Sequence, residues 1–207
     1  KSHDSETKAG TPVEEDASRI LNSIREARKN ADLVISYHHN HIFDENFAHL
    51  IGGISPKRYL PPNWIKDWSR RQIDAGADIV VIQGLPLVHG LEIYQGQPIF
   101  YNMGNFMFQL DVAWKHMFYE GVFKSVIAKV EFDGRKLQSI EFEPIVLTND
   151  VHDGFERHLS GIPGLAVDSD AQLILEQLSR LSREFGTVMS IKDGKAVVNL
   201  EQSGSAK

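Results

Sequence analysis

Cysteine is absent from the 207-residue sequence, which excludes disulfide bonds and thiolate metal sites. Positive charge is in deficit, because 22 Lys and Arg residues against 28 Asp and Glu give a net charge of −6 at pH 7. Without a basic excess, neither nucleic acid nor an anionic membrane surface is expected as a partner. No apolar run approaches the roughly 18 residues of a membrane-spanning helix, so no transmembrane segment is predicted. The 42% of residues that are apolar suit a globular domain with a core of its own.

Both ends of the sequence are polar. Residues 1–17 are predicted to form a flexible arm and residues 201–207 a flexible tail, with one domain over residues 18–200 between them. No signal peptide opens the sequence, and Lys1 stands where an initiator Met would be expected, which suggests a fragment or a processed product. The sequence alone therefore leaves the compartment open, the cytoplasm included.

The centre of the sequence predicts a buried sheet. Residues 79–82, 91–94 and 98–101 are short apolar runs rich in β-branched and aromatic types, each bounded by Gly, Pro or Asn. Polar loops follow two of these runs, at residues 83–90 and 102–105. Loops held at strand ends by a rigid sheet are a common place for a functional site.

The flanking pattern predicts an α/β fold. A strand over residues 33–37, expected to be buried, a helix over residues 63–75 and the strand beginning at Ile79 form a βαβ unit, so the two strands should be parallel neighbours. The other predicted elements are a helix from a cap at Thr11 or Asp16 to about Lys29, a hairpin of residues 122–132 and 137–147, a helix over residues 171–185 capped by Asp168 or Ser169, and a hairpin of residues 188–191 and 196–200.

Histidines cluster where the first predicted strand ends, in His38-His39-Asn40-His41. Imidazole is a common metal ligand and the usual general base near neutral pH. His39 and His41 alternate along the chain, so an extended backbone would point them the same way. The alternative is a polar loop whose histidines have no chemical role.

A second group of polar residues is a weaker candidate. Histidine and aspartate recur in the predicted loop after the long hairpin without the tight spacing of a ligand set, which favours a solvated loop. His116 is likewise predicted to be a packed or exposed residue. The members of the loop group are Asp150, His152, Asp153 and His158.

Residues 31–35, 73–81 and above all 90–108, GLEIYQGQPIFYNMGNFMF, resemble the poly-γ-glutamate capsule synthesis protein (CapA) family. The resemblance extends over roughly residues 18–200 and includes the segment 171–194. It implies a metallophosphatase-like fold, a sandwich of two β-sheets flanked by helices, of which this chain would supply the C-terminal portion. The family's N-terminal half, which normally brings a Gly-Asp strand end and an Asn-Asn-His loop with metal ligands, has no counterpart here.

The resemblance also implies a site. His39 matches a ligand position of the family and His41 is its neighbour, so both are expected to bind a divalent ion, Mn, Fe or Zn, and to act in catalysis. Where the family carries two histidines after the next strand, this chain has Gln83 and Pro86, and proline offers no side-chain ligand. The side chains expected to contact substrate are Gln83, His89, Asn102 and Asn105.

Two functions are compatible with these residues. One is a metal-dependent hydrolase of a phosphoester or a γ-glutamyl amide in capsule or poly-γ-glutamate metabolism. The other is a catalytically degraded relative that binds or assembles the polymer, since a metal held by one or two histidines would be bound weakly. Expected partners are a polyanionic polymer or phosphoester substrate and a missing N-terminal half or partner chain. Without that half, an apolar sheet face should be exposed. Family resemblance implies the cell envelope or the extracellular space.

Overall fold

The computed structural model describes residues 12–109, 117–148 and 160–204. Four α-helices and nine β-strands lie in these ranges, with short 3₁₀ turns at Pro56–Tyr59 and Glu120–Phe123. The helices are α1 (Glu14–Asn30), α2 (Phe47–Ile51), α3 (Asn63–Asp74) and α4 (Asp168–Arg183). The strands are β1 (Ile35–His39), β2 (Ile79–Gln83), β3 (Leu91–Tyr94), β4 (Gln97–Phe100), β5 (Lys124–Asp133), β6 (Lys136–Leu147), β7 (Pro163–Leu165), β8 (Met189–Lys192) and β9 (Lys195–Val198).

Several predicted residues fall outside the described ranges. They are His116, Asp150, His152, Asp153 and His158, together with residues 1–11 of the predicted arm and 205–207 of the predicted tail.

The strands form two sheets. Sheet I has the order β1-β2-β4-β3, in which β1, β2 and β4 are parallel and β3 is antiparallel to β4. Sheet II is antiparallel, with the order β5-β6-β9-β8 and with β7 beside β6. The parallel pairing of β1 with β2 confirms the βαβ unit predicted from the sequence.

Alternation along the strands of sheet I places its two faces in two cores. Val80 and Ile99 face α1 and α3, whereas Ile79 and Phe100 face sheet II and α4. The helix-side core includes Leu21, Ile24, Ile65, Trp68 and Ile73, and the sheet-side core includes Val126, Ile140, Phe142, Ile174, Leu175 and Leu178. The predicted α/β class, two β-sheets flanked by helices as in a metallophosphatase-like sandwich, is therefore confirmed.

The predicted helix caps are wrong. Val13 and Val167 occupy the N-cap positions of α1 and α4, and neither helix has a side-chain cap hydrogen bond. Asp16 and Asp168 lie inside the first turns, where carboxylates interact favourably with the positive end of the helix dipole. Charge in the first turn thus takes the place of a capping hydrogen bond.

The prediction that the first strand is buried is also wrong. β1 begins two residues later than expected, at Ile35, and the side chains of Ile35 and Tyr37 are 61% and 60% exposed. Their partners in the parallel register are Ile79 and Val81, so they continue the face of sheet I that elsewhere packs on sheet II. Within the described part of the chain no strand pairs with the second edge of β1, and sheet II does not cover it. Exposure here results from position at the sheet edge.

A buried carboxylate ties three elements together at the start of β1. The side chain of Asp78 is fully buried and binds the guanidinium of Arg28 from α1 and Nε of Arg135, at 2.9 Å, from the turn between β5 and β6. Oδ2, the oxygen that binds Arg28, also accepts a hydrogen bond from the backbone N–H of Val34 at 2.8 Å, whereas Arg135 binds Oδ1. Asp78 therefore fixes where β1 enters sheet I and joins both sheets to α1.

A second buried carboxylate links α3 to the hairpin of β3 and β4. The side chain of Glu92 is fully buried, and one of its oxygens accepts from Nε and Nη2 of Arg70 at 3.0 and 2.7 Å. Its other oxygen accepts from the hydroxyl of Tyr101 at 2.5 Å. The segment 90–108, the longest part of the sequence resemblance, is thus held to the helix layer by a charge-assisted network.

No helix in the described ranges is both long and apolar enough to span a lipid bilayer.

Candidate functional site

The candidate site lies at one edge of sheet I, where β1, β2 and β4 end. Because these strands are parallel, the loops that follow them leave the sheet on the same side. The three loops begin at Asn40, Gly84 and Tyr101. They carry most of the residues that the sequence singled out.

His39 and His41 face each other at the end of β1. Their Nε2 atoms are 3.1 Å apart and their ring centroids 4.6 Å apart, and both side chains are exposed. The ring of His41 also packs on Phe47 at the start of α2, with 4.7 Å between centroids. The structure therefore brings the two predicted ligands together on the solvent side. Phe47 was not singled out in the sequence, although it lies in the long segment after the histidines.

His38 points the other way. Its Nε2 lies 2.5 Å from the side-chain oxygen of Gln72 in α3, an oxygen that also accepts from the hydroxyl of Ser36 at 2.5 Å. An amide oxygen can only accept, so His38 donates from Nε2 and keeps that nitrogen away from the site. His38 therefore anchors β1 to the helix layer.

Gln83 joins the first and third loops. Its Cα is aligned with that of His39 in the parallel register, so both side chains lie on the same face of sheet I. Its Nε2 donates to the carbonyl of Gly104 at 2.6 Å, and its Oε1 accepts a long hydrogen bond, 3.5 Å, from Met103 N–H. The amide oxygen of Gln83 is thus the less firmly held end of the side chain.

Backbone contact fixes the first two loops against each other. Asn40 N–H donates to the carbonyl of Gln83 at 2.7 Å, and Gly84 follows with φ of 134°. A Cβ at Gly84 would lie 2.1 Å from the carbonyl oxygen of Asn40, so only glycine fits there. The histidine loop is therefore held at a set distance from the end of β2.

The two asparagines of the third loop differ in their surroundings. Asn105 is half-buried, and its Nδ2 donates to the carbonyl of Val122 at 3.1 Å. Asn102 is 3% exposed, and its Oδ1 has no hydrogen-bond partner in the part of the chain that the structure describes. Asn105 is therefore the better placed of the two to meet a ligand, and the role of both in substrate binding stays a prediction.

His89 is enclosed by protein. Only 2% of it is exposed, and its Nε2 donates to the carbonyl of Arg58 at 2.8 Å. Nδ1 has no hydrogen-bond partner among the described residues. Burial lowers the pKa of His89 from 6.5 to about 4, although the Arg58 carbonyl opposes this. In this arrangement His89 does not present its ring to solvent, so its predicted contact with substrate requires the loop to move.

The donor set fits part of a metal site. Zinc binds imidazole nitrogen at about 2.0–2.1 Å, so two nitrogen ligands of a tetrahedral zinc would lie roughly 3.3 Å apart. The Nε2 atoms of His39 and His41 are separated by 3.1 Å, which is close to that distance. Residues 12–109, 117–148 and 160–204 contain no group of three or more His, Asp or Glu side chains that could hold a metal ion. The pair therefore offers two ligands, and the amide oxygen of Gln83, the residue aligned with His39, is a weaker donor than imidazole.

Comparison with known proteins adds three findings. A family model described as bacterial capsule synthesis protein PGA_cap matches residues 1–110. Two proteins of Sinorhizobium fredii, y4sH and y4uA, both described as uncharacterized, are each 28% identical to the chain over 224 aligned positions, which cover 89% of this chain and 45% of theirs. The PGA biosynthesis protein CapA of Bacillus subtilis is 25% identical over 193 positions, 93% of this chain and 42% of its own length. The chain thus spans less than half the length of these relatives.

Proposed function

Because the chain belongs to the bacterial capsule synthesis protein family PGA_cap, we propose that it acts in the metabolism of a capsule polymer such as poly-γ-glutamate. Within that role, the proposed activity is hydrolysis of a phosphoester or a γ-glutamyl amide, with a divalent ion, Mn, Fe or Zn, held by His39 and His41. The observation that carries this proposal is the 3.1 Å approach of the two imidazoles at the exposed edge of sheet I.

The chain's own residues have distinct tasks in this proposal. Each imidazole supplies a neutral nitrogen to the ion, and Phe47 restrains the ring of His41. Gln83, which is aligned with His39, and Asn105 of the third loop would orient the substrate through their amide groups. A bound divalent ion would supply a water of lowered pKa and polarise the bond under attack. Two protein ligands leave most of the coordination sphere open to water and substrate.

A second function is supported by a different observation. Gln83 donates its amide to the Gly104 backbone where the family resemblance expects a histidine, so the described chain offers a metal only two imidazoles. A protein that keeps the scaffold but binds metal weakly would serve as a polymer-binding or assembly component. This is the alternative if the metal experiment below fails.

Metal binding by the purified chain tests the hydrolase proposal. We expect Zn²⁺ or Mn²⁺ to bind with one-to-one stoichiometry, measured by calorimetry and by elemental analysis. His39→Ala and His41→Ala should each weaken binding more than about tenfold, since even partners that only support a ligand are worth that much. In the same two variants, the rates of hydrolysis of a generic phosphodiester and of a γ-linked glutamate oligomer should decrease as metal binding is lost.

His49 provides the matched control, because its side chain is 52% exposed and it lies on α2, outside the histidine pair. His49→Ala should bind metal as the unaltered chain does. Equal affinity in the His39, His41 and His49 variants would remove the basis of the hydrolase proposal. Absence of both metal and hydrolysis in the protein as its gene encodes it would do the same, and would favour the binding role.

We further propose that sheet I is completed by a segment outside this sequence, an N-terminal half or a partner chain. Ile35 and Tyr37 support this, since they leave an apolar stripe on the face that packs on sheet II elsewhere. The carbonyl of Val34 and the N–H of Asn40 hydrogen-bond toward β2, and in a parallel ladder such bonds come from alternate residues. The backbone N–H and C=O groups of the odd residues of β1 therefore face the open edge. The greater length of the relatives leaves room for such a segment.

Dye binding tests whether this stripe is accessible. The 207-residue chain should enhance the fluorescence of anilinonaphthalene sulfonate, and Ile35→Thr with Tyr37→Thr should lower the signal by about half, because the pair forms a contiguous patch. Ile54→Thr, which removes an isolated side chain that is 73% exposed, should change it little. The protein as its gene encodes it should bind less dye. A monomeric 207-residue chain without dye-accessible apolar surface would contradict the proposal.

A further inference from the structure

A cleft of about 370 Å³ lies between the Glu120–Phe123 turn and α4, apart from the histidine pair. Its volume falls within the range of small-molecule sites. Apolar side chains and Tyr119 form part of its wall, and charged groups of both signs complete it. The lining residues on which the argument depends are Val88, Tyr119, Glu120, Lys124, Glu176 and Arg180.

The two cations of the cleft have hydrogen-bonding capacity to spare. The side chain of Lys124 is only 28% exposed, and its ammonium lies 3.9 Å from Glu120 and 3.7 Å from Asp170, too far for hydrogen bonds. Arg180 is exposed and has neither an ion pair nor a hydrogen bond to any residue in the described ranges. A guanidinium and a partly buried ammonium are the groups that proteins use to hold carboxylates.

The acidic residues of the cleft are less available. Glu176 accepts a hydrogen bond from Gln172 at 2.6 Å, and the side chain of Glu120 is 73% exposed at the rim. Solvent screens a rim carboxylate more strongly than it screens the partly buried Lys124. Lys124 and Arg180 therefore remain available to bind an anion, even though the formal charges of the lining balance.

The cleft adjoins the candidate site through the third loop. Val88 in the wall of the cleft forms a β-bridge with Met103. The backbone of Gly104 lies against that of Lys124, so closely that a Cβ added to Gly104 would be 2.8 Å from the Lys124 carbonyl oxygen. Gly104 in turn accepts from Gln83, the neighbour of His39. The third loop thus contacts both the wall of the cleft and Gln83, the residue aligned with His39.

We propose that this cleft is a subsite for the carboxylate groups of an acidic oligomer, held by Lys124 and Arg180 while an adjoining unit lies at the histidine pair. The proposal rests on the function proposed above, since a polymer of γ-linked glutamate carries a free carboxylate on every unit. Tyr119 and Val88 provide an apolar surface for the methylene groups between the carboxylates. The cleft would set the direction and register of the chain relative to His39 and His41.

The test uses a fluorescently labelled γ-linked hexaglutamate and the 207-residue chain, with affinity measured by anisotropy at low and at physiological salt. Arg180→Gln and Lys124→Met should each weaken binding by about tenfold, the loss expected when one charge-assisted contact is removed. Lys192→Gln removes the same charge from the turn of β8 and β9, where the side chain is 82% exposed, and should leave affinity unchanged. A hexamer whose free carboxylates are converted to amides should bind far more weakly.

Three results would overturn the subsite: no binding of hexaglutamate by the unaltered chain, equal binding by the Arg180 and Lys192 variants, or equal binding of the amidated hexamer. Circular dichroism of each variant separates loss of binding from loss of fold. Binding that depends on Arg180 in a chain without metal or hydrolysis would sustain the subsite and reject only the hydrolase.

Discussion

Replacing Asp78 with Asn should lower the free energy of unfolding by about 3 kcal/mol, the scale for removing one partner of a buried ion pair. The substitution keeps the shape of the side chain but removes its charge and converts one oxygen into an N–H donor. That donor would face the guanidinium of Arg28 or Arg135, both of which bind the carboxylate in the native protein. Guanidinium chloride unfolding at pH 7, extrapolated linearly to water, measures the effect.

Asp74→Asn is the matched control for this change. Asp74 lies four residues earlier, is exposed, and accepts hydrogen bonds from Tyr94 and Gln95 at 3.3 and 2.8 Å. Its replacement should cost less than about 1 kcal/mol, as is usual for polar contacts at a surface. Similar losses in the two variants would contradict the anchoring role of Asp78.

The same substitution has a local consequence for the candidate site. Asp78 accepts the N–H of Val34, directly before β1, so its loss should loosen the strand that presents His39. Hydrogen exchange of β1 amides should accelerate more than exchange in β3, which Glu92 holds independently through Arg70. Uniform acceleration through both sheets would indicate global destabilisation without a special effect on β1.

Acidification should destabilise the protein through His89, by about 3 kcal/mol between pH 6.5 and pH 4. Burial lowers the pKa of His89 to about 4, whereas the unfolded chain titrates near 6.5. Between these two pKa values the imidazole is protonated in the unfolded state but neutral in the folded state. Each unit of difference in pKa therefore lowers the free energy of unfolding by about 1.4 kcal/mol. The free energy of unfolding is therefore unaffected by His89 above pH 6.5 and decreases as the pH falls from 6.5 to 4. Below pH 4 the protonation of His89 changes it no further.

The cause of this penalty is geometric. Nε2 of His89 already donates to the Arg58 carbonyl, so an added proton must go to Nδ1, which has no acceptor among the described residues. A charged imidazole would therefore be buried with one unsatisfied donor. Denaturant unfolding as a function of pH measures the effect.

Carboxylates also titrate in the lower part of this window, so variants are needed to isolate His89. His89→Gln should lower stability at pH 7 and flatten the profile between pH 6.5 and pH 4.5, since Gln has no charge to bury. His49→Gln, at a half-exposed position, should give a curve parallel to that of the unaltered protein. Parallel curves for the His89 variant and the unaltered protein would exclude His89 as the source.

The predicted site is a case in which local pattern and tertiary structure agree in part. The βαβ rule predicted that β1 and β2 are parallel neighbours, and the structure pairs them so, with His39 aligned to Gln83 at their ends. The sequence did not show that His38 bonds to Gln72 or that His89 is enclosed. Successive strand residues face opposite sides, and which side is covered depends on elements that are distant in the chain.

What the sequence determined by itself was local. β3 and β4 were predicted to within one residue, because β-branched and aromatic runs flank a turn at Gln95 and Gly96. α3 was also predicted to within one residue, because apolar residues recur at helical spacing between Pro62 and Gly76. Only the tertiary structure decided that β1 is an open edge, that Asp78 joins α1 to both sheets, and that α4 closes a cleft beside Lys124. The physical reason is that the spacing of apolar residues and the chemistry of turns are properties of a few neighbouring residues. Burial of a side chain is set by whatever packs on it from elsewhere in the chain.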